Sequence, residues 1–188
     1  MRKIRKLEHI ELYIRDFKNL NGNTFGDFHF VHNSLPETNI NSINIETIFF
    51  DDLKSQAPFY INAITGGISQ SKEINKAFAR ISKELGIPMA VGSQYIALED
   101  KSVSDTFKIV REINPNGIIF ANAGAMISAE SANKIIDMIE ADALQIHLNV
   151  PQEVIMSEGD RCFEGYLSNI EKLAKDVEIP IIVKEEGF

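Results

Sequence analysis

From residue 58 onward the sequence alternates between two periods. Short, near-continuous apolar runs stand at 59–64 (FYINAI), 88–92 (PMAVG), 117–121 (GIIFA), 143–148 (ALQIHL) and 180–184 (PIIVK). Helical spacing lies between them: Ile74, Ala77, Phe78, Ile81 and Leu85; then Val103, Phe107 and Val110; then Ala132, Ile135, Ile136 and Ile139; then Leu167, Ile170, Leu173, Ala174 and Val177. Runs without polar alternation suit strands buried on both faces, and i, i+3, i+4, i+7 spacing turns one stripe of each helix toward them. Strand follows strand at roughly 25 to 37 residues, the spacing of βαβ units around a parallel sheet. Ser69, Ser102 and Ser128 stand where N-caps belong, and Gly86 followed by Pro88 is a helix stop.

Residues 1–57 do not follow this pattern. Ile4, Leu7, Ile10 and Ile14 predict a short helix within 4–20, broken by Asn19 to Asn23. Phe28, Phe30 and Val31 suggest one extended piece, and Ile43, Ile45 and Thr47 alternate as a strand does. Asn33, Asn39, Asn41 and Asn44 favour turns. Two segments follow from this contrast: an N-terminal extension, 1–57, and an α/β segment, 58–188.

Composition narrows the function. The 188 residues are 44% hydrophobic and 24% charged, ordinary for a water-soluble domain with a real core. A net charge of −8 offers no global field for nucleic acid or an anionic membrane, and no apolar run approaches the length of a membrane span. Cys162 is the single cysteine, which excludes a disulfide framework. Arg2, Lys3, Arg5 and Lys6 form a basic start with no apolar segment behind it, so a signal peptide is not expected and a cytoplasmic setting is.

Chemistry-bearing residues gather at the ends of the apolar runs. These ends read Thr65-Gly66-Gly67, Gly92-Ser93-Gln94, Asn122-Ala123-Gly124-Ala125 and Lys184-Glu185-Glu186-Gly187. Glycine there lets a flat ligand or a phosphate approach the backbone. The densest stretch is 143–160, ALQIHLNVPQEVIMSEGD, where an apolar run gives way within seven residues to His147, Asn149, Gln152 and Glu153. Taken singly, each has a plainer role: His147 as a satisfied core histidine, Asn149 before Val150-Pro151 as a turn former, Arg5 and Lys6 as a solvated charge run. Together on one strand end, His147, Asn149, Gln152 and Glu153 read as a site. Neither GxGxxG nor a Walker A pattern occurs, which argues against a dinucleotide or P-loop fold.

In order along the chain, Arg5-Lys6-Leu7-Glu8-His9, Phe59 to Gly67, Met89 to Ser93, Asn122 to Ala125, the 143–160 stretch and Val183-Lys184-Glu185 resemble the type 2, flavin-dependent isopentenyl-diphosphate isomerases. The resemblance implies a (β/α)8 TIM-type barrel of which this chain holds the first five strands and four helices, since such barrels take about 250 residues. It implies isomerisation of isopentenyl diphosphate to dimethylallyl diphosphate with reduced FMN, NADPH to reduce it, and Mg2+, in a homo-oligomer. By the same resemblance Arg5, Lys6 and His9 bind the diphosphate. Ala63, Ile64, Thr65, Ser93, Asn122 and Lys184 line the flavin, Gln152 contacts substrate, His147 and Asn149 line the pocket, and Glu153 holds the metal. Tyr95 departs from the basic residue some relatives carry nearby. Two alternatives stay open at this stage: another FMN-dependent barrel oxidising a small hydroxy acid, and a non-catalytic half-barrel that serves as an assembly partner.

Overall fold

The computed structural model describes residues 2–16, 29–50, 52–157 and 159–185, with the side chains of Arg2, Lys3, Arg5 and His9 outside that description. The chain divides into two compact units, Met1–Ile45 and Glu46–Phe188.

In the first unit, helix α1 spans Arg2–Asp16. The expected break at Asn19 to Asn23 and the extended residue Phe28 lie outside the described residues. The asparagines do make turns. Asn33 Oδ1 accepts from the Leu35 N–H at 3.0 Å, and Asn39 Oδ1 accepts from Asn41 N–H at 2.9 Å to cap a 3-10 turn, Ile40–Ser42.

The second unit holds β1 (Thr47–Ile48), β2 (Lys54–Ser55), α2 (Ser69–Leu85), β3 (Met89–Ala90), α3 (Tyr95–Glu99), α4 (Asp105–Ile113), β4 (Ile119–Gly124), α5 (Ala129–Ile139), β5 (Ala143–Leu148), α6 (Val150–Ile155), α7 (Tyr166–Asp176) and β6 (Ile181–Glu185). β1 and β2 pair antiparallel, and β3-β4-β5-β6 form a parallel sheet in that order.

This corrects the barrel expectation. The described residues make an open sheet of four parallel strands beside a small antiparallel hairpin, not five strands of a TIM-type barrel. The run at 59–64 is not a strand; it touches the sheet through one parallel bridge, Ile61 to Met89. The physical reason is local. Ile61 bonds both ways, its N–H to Pro88 O at 3.0 Å and its carbonyl from Ala90 N–H at 2.8 Å. The next donor, Ala63 N–H, is taken by the Asn62 side chain at 2.8 Å, which removes it from any ladder. The four expected helices appear as α2, α4, α5 and α7; α3 and α6 are short additions at the strand ends.

Helix termini follow their local chemistry. Ser128 caps α5, its Oγ accepting from Ser131 N–H at 3.2 Å. Gly86 ends α2 in the left-handed region at φ 63, which glycine enters without a Cβ penalty. Ser102 is not the cap of α4, whose N-cap position is Ser104; it lies in a 3-10 turn, Lys101–Val103, that Asp100 caps by accepting from Ser102 N–H at 3.0 Å. Ser69 is the first residue of α2 itself.

Two apolar layers sandwich the sheet. On the helical side Met89, Val91, Ile119, Ala121, Leu144 and Ile146 pack with Phe107, Val110, Ile135, Ile139 and Leu173. On the other side Ala90, Phe120 and Ala143 meet Phe49, Phe50 and Tyr60. Tyr60 and Phe120 lie 5.4 Å apart at 65°, and Phe49 and Tyr60 lie 6.1 Å apart at 87°, an edge-to-face cluster. Beneath the strands, Arg111 donates to the carbonyls of Ile139, Pro115, Gly117 and Glu140 and to Asp142 Oδ2. It staples the loops that lead into β4 and β5.

Candidate functional site

Parallel strands carry their C-terminal ends to one edge, and register decides which residues meet there. Gly124 pairs with His147, and His147 with Lys184; two residues earlier Asn122 pairs with Gln145, and Gln145 with Ile182. Side chains alternate along a strand, so Asn122, Gln145, His147 and Lys184 share the face opposite the helices.

A hydrogen-bonded ladder runs up this face. His147 Nδ1 lies 2.9 Å from Asn122 Oδ1, and Asn122 Nδ2 donates to Gln145 Oε1 at 2.5 Å. Gln145 Nε2 donates to the Tyr60 hydroxyl at 2.9 Å and points to Asn62 Oδ1 at 3.4 Å. Gln145 is fully buried and Asn122 nearly so, which makes their mutual satisfaction a requirement. Burial pushes the Tyr60 phenol upward from its ordinary value, and the bond from Gln145 opposes that. Gln94, also fully buried, is a brace. Its Nε2 donates to Ile135 O at 2.9 Å, and its Oε1 accepts from Asn122 N–H at 3.2 Å.

The 65–67 loop and the end of β3 approach closely. Gly92 N–H donates to Thr65 O at 3.0 Å, and a Cβ at Gly92 would lie 2.6 Å from the Thr65 carbonyl carbon. Only glycine allows that approach. Thr65 Oγ1 is buried and, among the described residues, has no hydrogen-bond partner. An orphaned hydroxyl at a glycine-lined strand end fits a polar atom of a ligand. Ser93 and Ala63 are half-buried beside it and Ile64 is exposed.

Past β5, Asn149 caps α6. Its Oδ1 accepts from Gln152 N–H at 3.1 Å, and its Nδ2 donates to Gln152 Oε1 at 2.5 Å. Each carboxamide therefore orients the other. Glu153 is half-buried, and its Oε2 accepts from Asp160 N–H at 2.9 Å. With Asp160 it raises the Tyr166 phenol, after burial, which is the larger cause. Among the described residues no group of three His, Cys, Asp or Glu side chains forms a metal cluster. One carboxylate with spare acceptor positions is still what Mg2+ takes when phosphate and water complete its shell.

The structure thus gathers Thr65, Ser93, Asn122, His147 and Lys184 at one end of the sheet, with Asn149, Gln152 and Glu153 in the segment that leaves it. Arg5, Lys6 and His9 belong to α1 in the first unit, where Lys6 is half-buried. Glu186 and Gly187 lie outside the described residues. Tyr60, Asn62 and Gln145 escaped the sequence reading. The available signal was Gln145 itself, an amide in the middle of an apolar strand, which a buried sheet tolerates only with partners.

An open parallel sheet with amides, an imidazole and a lysine at its carboxyl edge defines an α/β protein with a polar candidate site. No protein-family model matches the chain. Among curated proteins, the isopentenyl-diphosphate delta-isomerase of Listeria innocua is 44% identical over 188 residues, covering 100% of this chain and 52% of that protein. The protein of the same name from Geobacillus sp. (strain WCH70) is 49% identical over 185 residues, 98% of this chain and 52% of its own length. That of Bacillus mycoides is 48% identical over 189 residues, 100% of this chain and 54% of its own. The chain spans about half the length of the curated relatives it matches. A universal stress protein from Archaeoglobus fulgidus covers 66% of the chain at 15% identity with a TM-score of 0.26, too slight a likeness to bear on the fold.

Proposed function

We propose that the chain is part of an isopentenyl-diphosphate delta-isomerase of the FMN-dependent kind, acting with Mg2+ and with NADPH as the reductant of the flavin, in a cytoplasmic homo-oligomer. The observation that carries this reading is similarity along the whole chain to isomerases of that name, at 44% and 49% identity.

The residue chemistry supports it. Moving a double bond by one carbon adds one proton and removes another, with no net redox change. Asn149 and Gln152 do not exchange protons near neutral pH, so their interlocked carboxamides orient a substrate. His147 has a ring nitrogen suited to holding a proton at the strand end. FMN, when bound and reduced, supplies an acid–base group of its own. Thr65, with its orphaned hydroxyl, Ser93, Asn122 and Lys184, flanked by Ala63 and Ile64, would hold its ring; Glu153 would bind the cation. Arg5 and Lys6, with His9, would supply the fixed positive charge a diphosphate needs.

The test is the protein that carries this chain, loaded with FMN, reduced by NADPH without oxygen, and given isopentenyl diphosphate and Mg2+. Appearance of dimethylallyl diphosphate by proton NMR is the expected result. A flavin-loaded, magnesium-supplied protein that leaves the substrate unchanged overturns the reading.

A further inference from the structure

The ladder from His147 to Tyr60 has two possible polarities. In one, His147 Nδ1–H donates to Asn122, Asn122 to Gln145, and Gln145 to Tyr60. In the other, every donor and acceptor is exchanged, Tyr60 donates, and Asn122 donates to a bare His147 Nδ1. The Tyr60 hydroxyl fits both, because it donates and accepts with equal ease. Amide orientations are assigned by their partners, so the ladder takes its sense from the end that cannot reverse.

That end is Asn62. Its side-chain atom facing Ala63 N–H at 2.8 Å must be oxygen, because a backbone N–H only donates. The same oxygen faces Gln145 at 3.4 Å. The bond is long and Asn62 itself is exposed, but Gln145 is fully buried, and reversing it would turn its carbonyl oxygen toward the Asn62 oxygen and exchange an attraction for a repulsion. Gln145 therefore keeps Nε2 toward Asn62 and Oε1 toward Asn122. Asn122 then turns Nδ2 toward Gln145 and Oδ1 toward His147.

We infer that the backbone N–H of Ala63, acting through Asn62, Gln145 and Asn122, fixes His147 as the Nδ1–H tautomer with Nε2 as the acceptor nitrogen, which makes Gln145 a positioning residue of the site. The inference deepens the proposed function by giving His147 one proton-accepting atom, but it rests on the ladder alone and is read without flavin or substrate.

The experiment is long-range 1H–15N correlation on the chain labelled at histidine, at a pH where the imidazole is neutral, with the His147 signals identified by their loss in His147→Gln. The neutral histidine side chain in water prefers Nε2–H, so a pyrrole-type Nδ1 with a pyridine-type Nε2 is diagnostic and is the expected result. The opposite pattern in the unmodified chain overturns the proposal, whatever the isomerase assay gives. Gln145→Leu is expected to release Asn122 and mix the tautomers. Adding Asn122→Asp, whose carboxylate accepts whichever way it turns, is expected to restore Nδ1–H. A tautomer unchanged in Gln145→Leu, or not restored in the folded double variant, shows that Gln145 does not position His147.

Discussion

Arg111 and Asp142 meet at 2.9 Å at the amino-terminal edge of the sheet, the edge away from the candidate site. The same Asp142 oxygen accepts from Ile119 N–H at 2.8 Å, so the pair ties the start of β4 to the start of β5. Removing one partner of a buried pair costs about 3 to 5 kcal/mol. Asp142 is 30% exposed at its side chain, which puts Arg111→Ala near the lower figure. Arg111→Lys keeps the charge but loses the planar fork that reaches several carbonyls, and it recovers only part. Urea unfolding followed by far-UV circular dichroism measures both; equal stability in all three proteins would show the staple to be inert.

Thr65→Val separates stability from ligand binding. A buried hydroxyl without a partner costs about 1 to 3 kcal/mol. The valine variant is expected to be more stable than the original by about 1 kcal/mol without ligand and to bind FMN more weakly. Paired thermal melts with and without FMN check this. A variant that loses stability in the empty state means that the hydroxyl has a partner in solution.

Glu153→Gln keeps the side chain's shape and an acceptor for Asp160 N–H while removing the charge a hard cation requires. The Mg2+ requirement is expected to rise by about tenfold or more, equivalent to ~1.4 kcal/mol, with flavin affinity nearly unchanged. Magnesium titration beside flavin absorbance reads the two separately, and parallel loss of both would make Glu153 structural.

Alkaline stability tests Tyr60. Burial favours its neutral phenol in the folded chain, so the folded value lies above the usual 10.0. Stability from such a group is complete below the unfolded value and is lost as pH rises through the folded one. Urea unfolding from about pH 8 to about pH 11 is expected to show a decline that Tyr60→Phe reduces. Tyr166, shifted the same way, leaves a residual slope in the variant. An identical slope in both proteins would place Tyr60 in water.

The sequence carried the βα alternation well, because a strand buried on both faces and a helix buried on one differ in period. β5 fell at 143–148 as read. Two things were hidden. The apolar positions read along α2 did not name its buried stripe, which is Ser71, Asn75, Ala79 and Ser82. Their small or hydrogen-bonded side chains allow close packing against α4, and Asn75 donates to Thr106 O at 2.8 Å. The run 59–64 has strand composition, yet one side chain, Asn62, diverts its backbone. At the site, strand ends were legible as a set of residue types. The ladder was not, because which amide meets which imidazole is decided by register between strands 25 residues apart in sequence.

The aromatic cluster has a spectroscopic consequence. The chain has no tryptophan and four tyrosines, one of them locked edge-on between Phe49 and Phe120. Tyr60 thus gives the near-ultraviolet dichroism a chiral signal from the site-bearing face, free of indole bands, whereas α2, α4, α5 and α7, packed on the opposite face, contribute to the far-ultraviolet signal. If the hairpin side loosens before the helices melt, the two spectra will lose their coincidence, and the order in which the faces come apart can be read without a label.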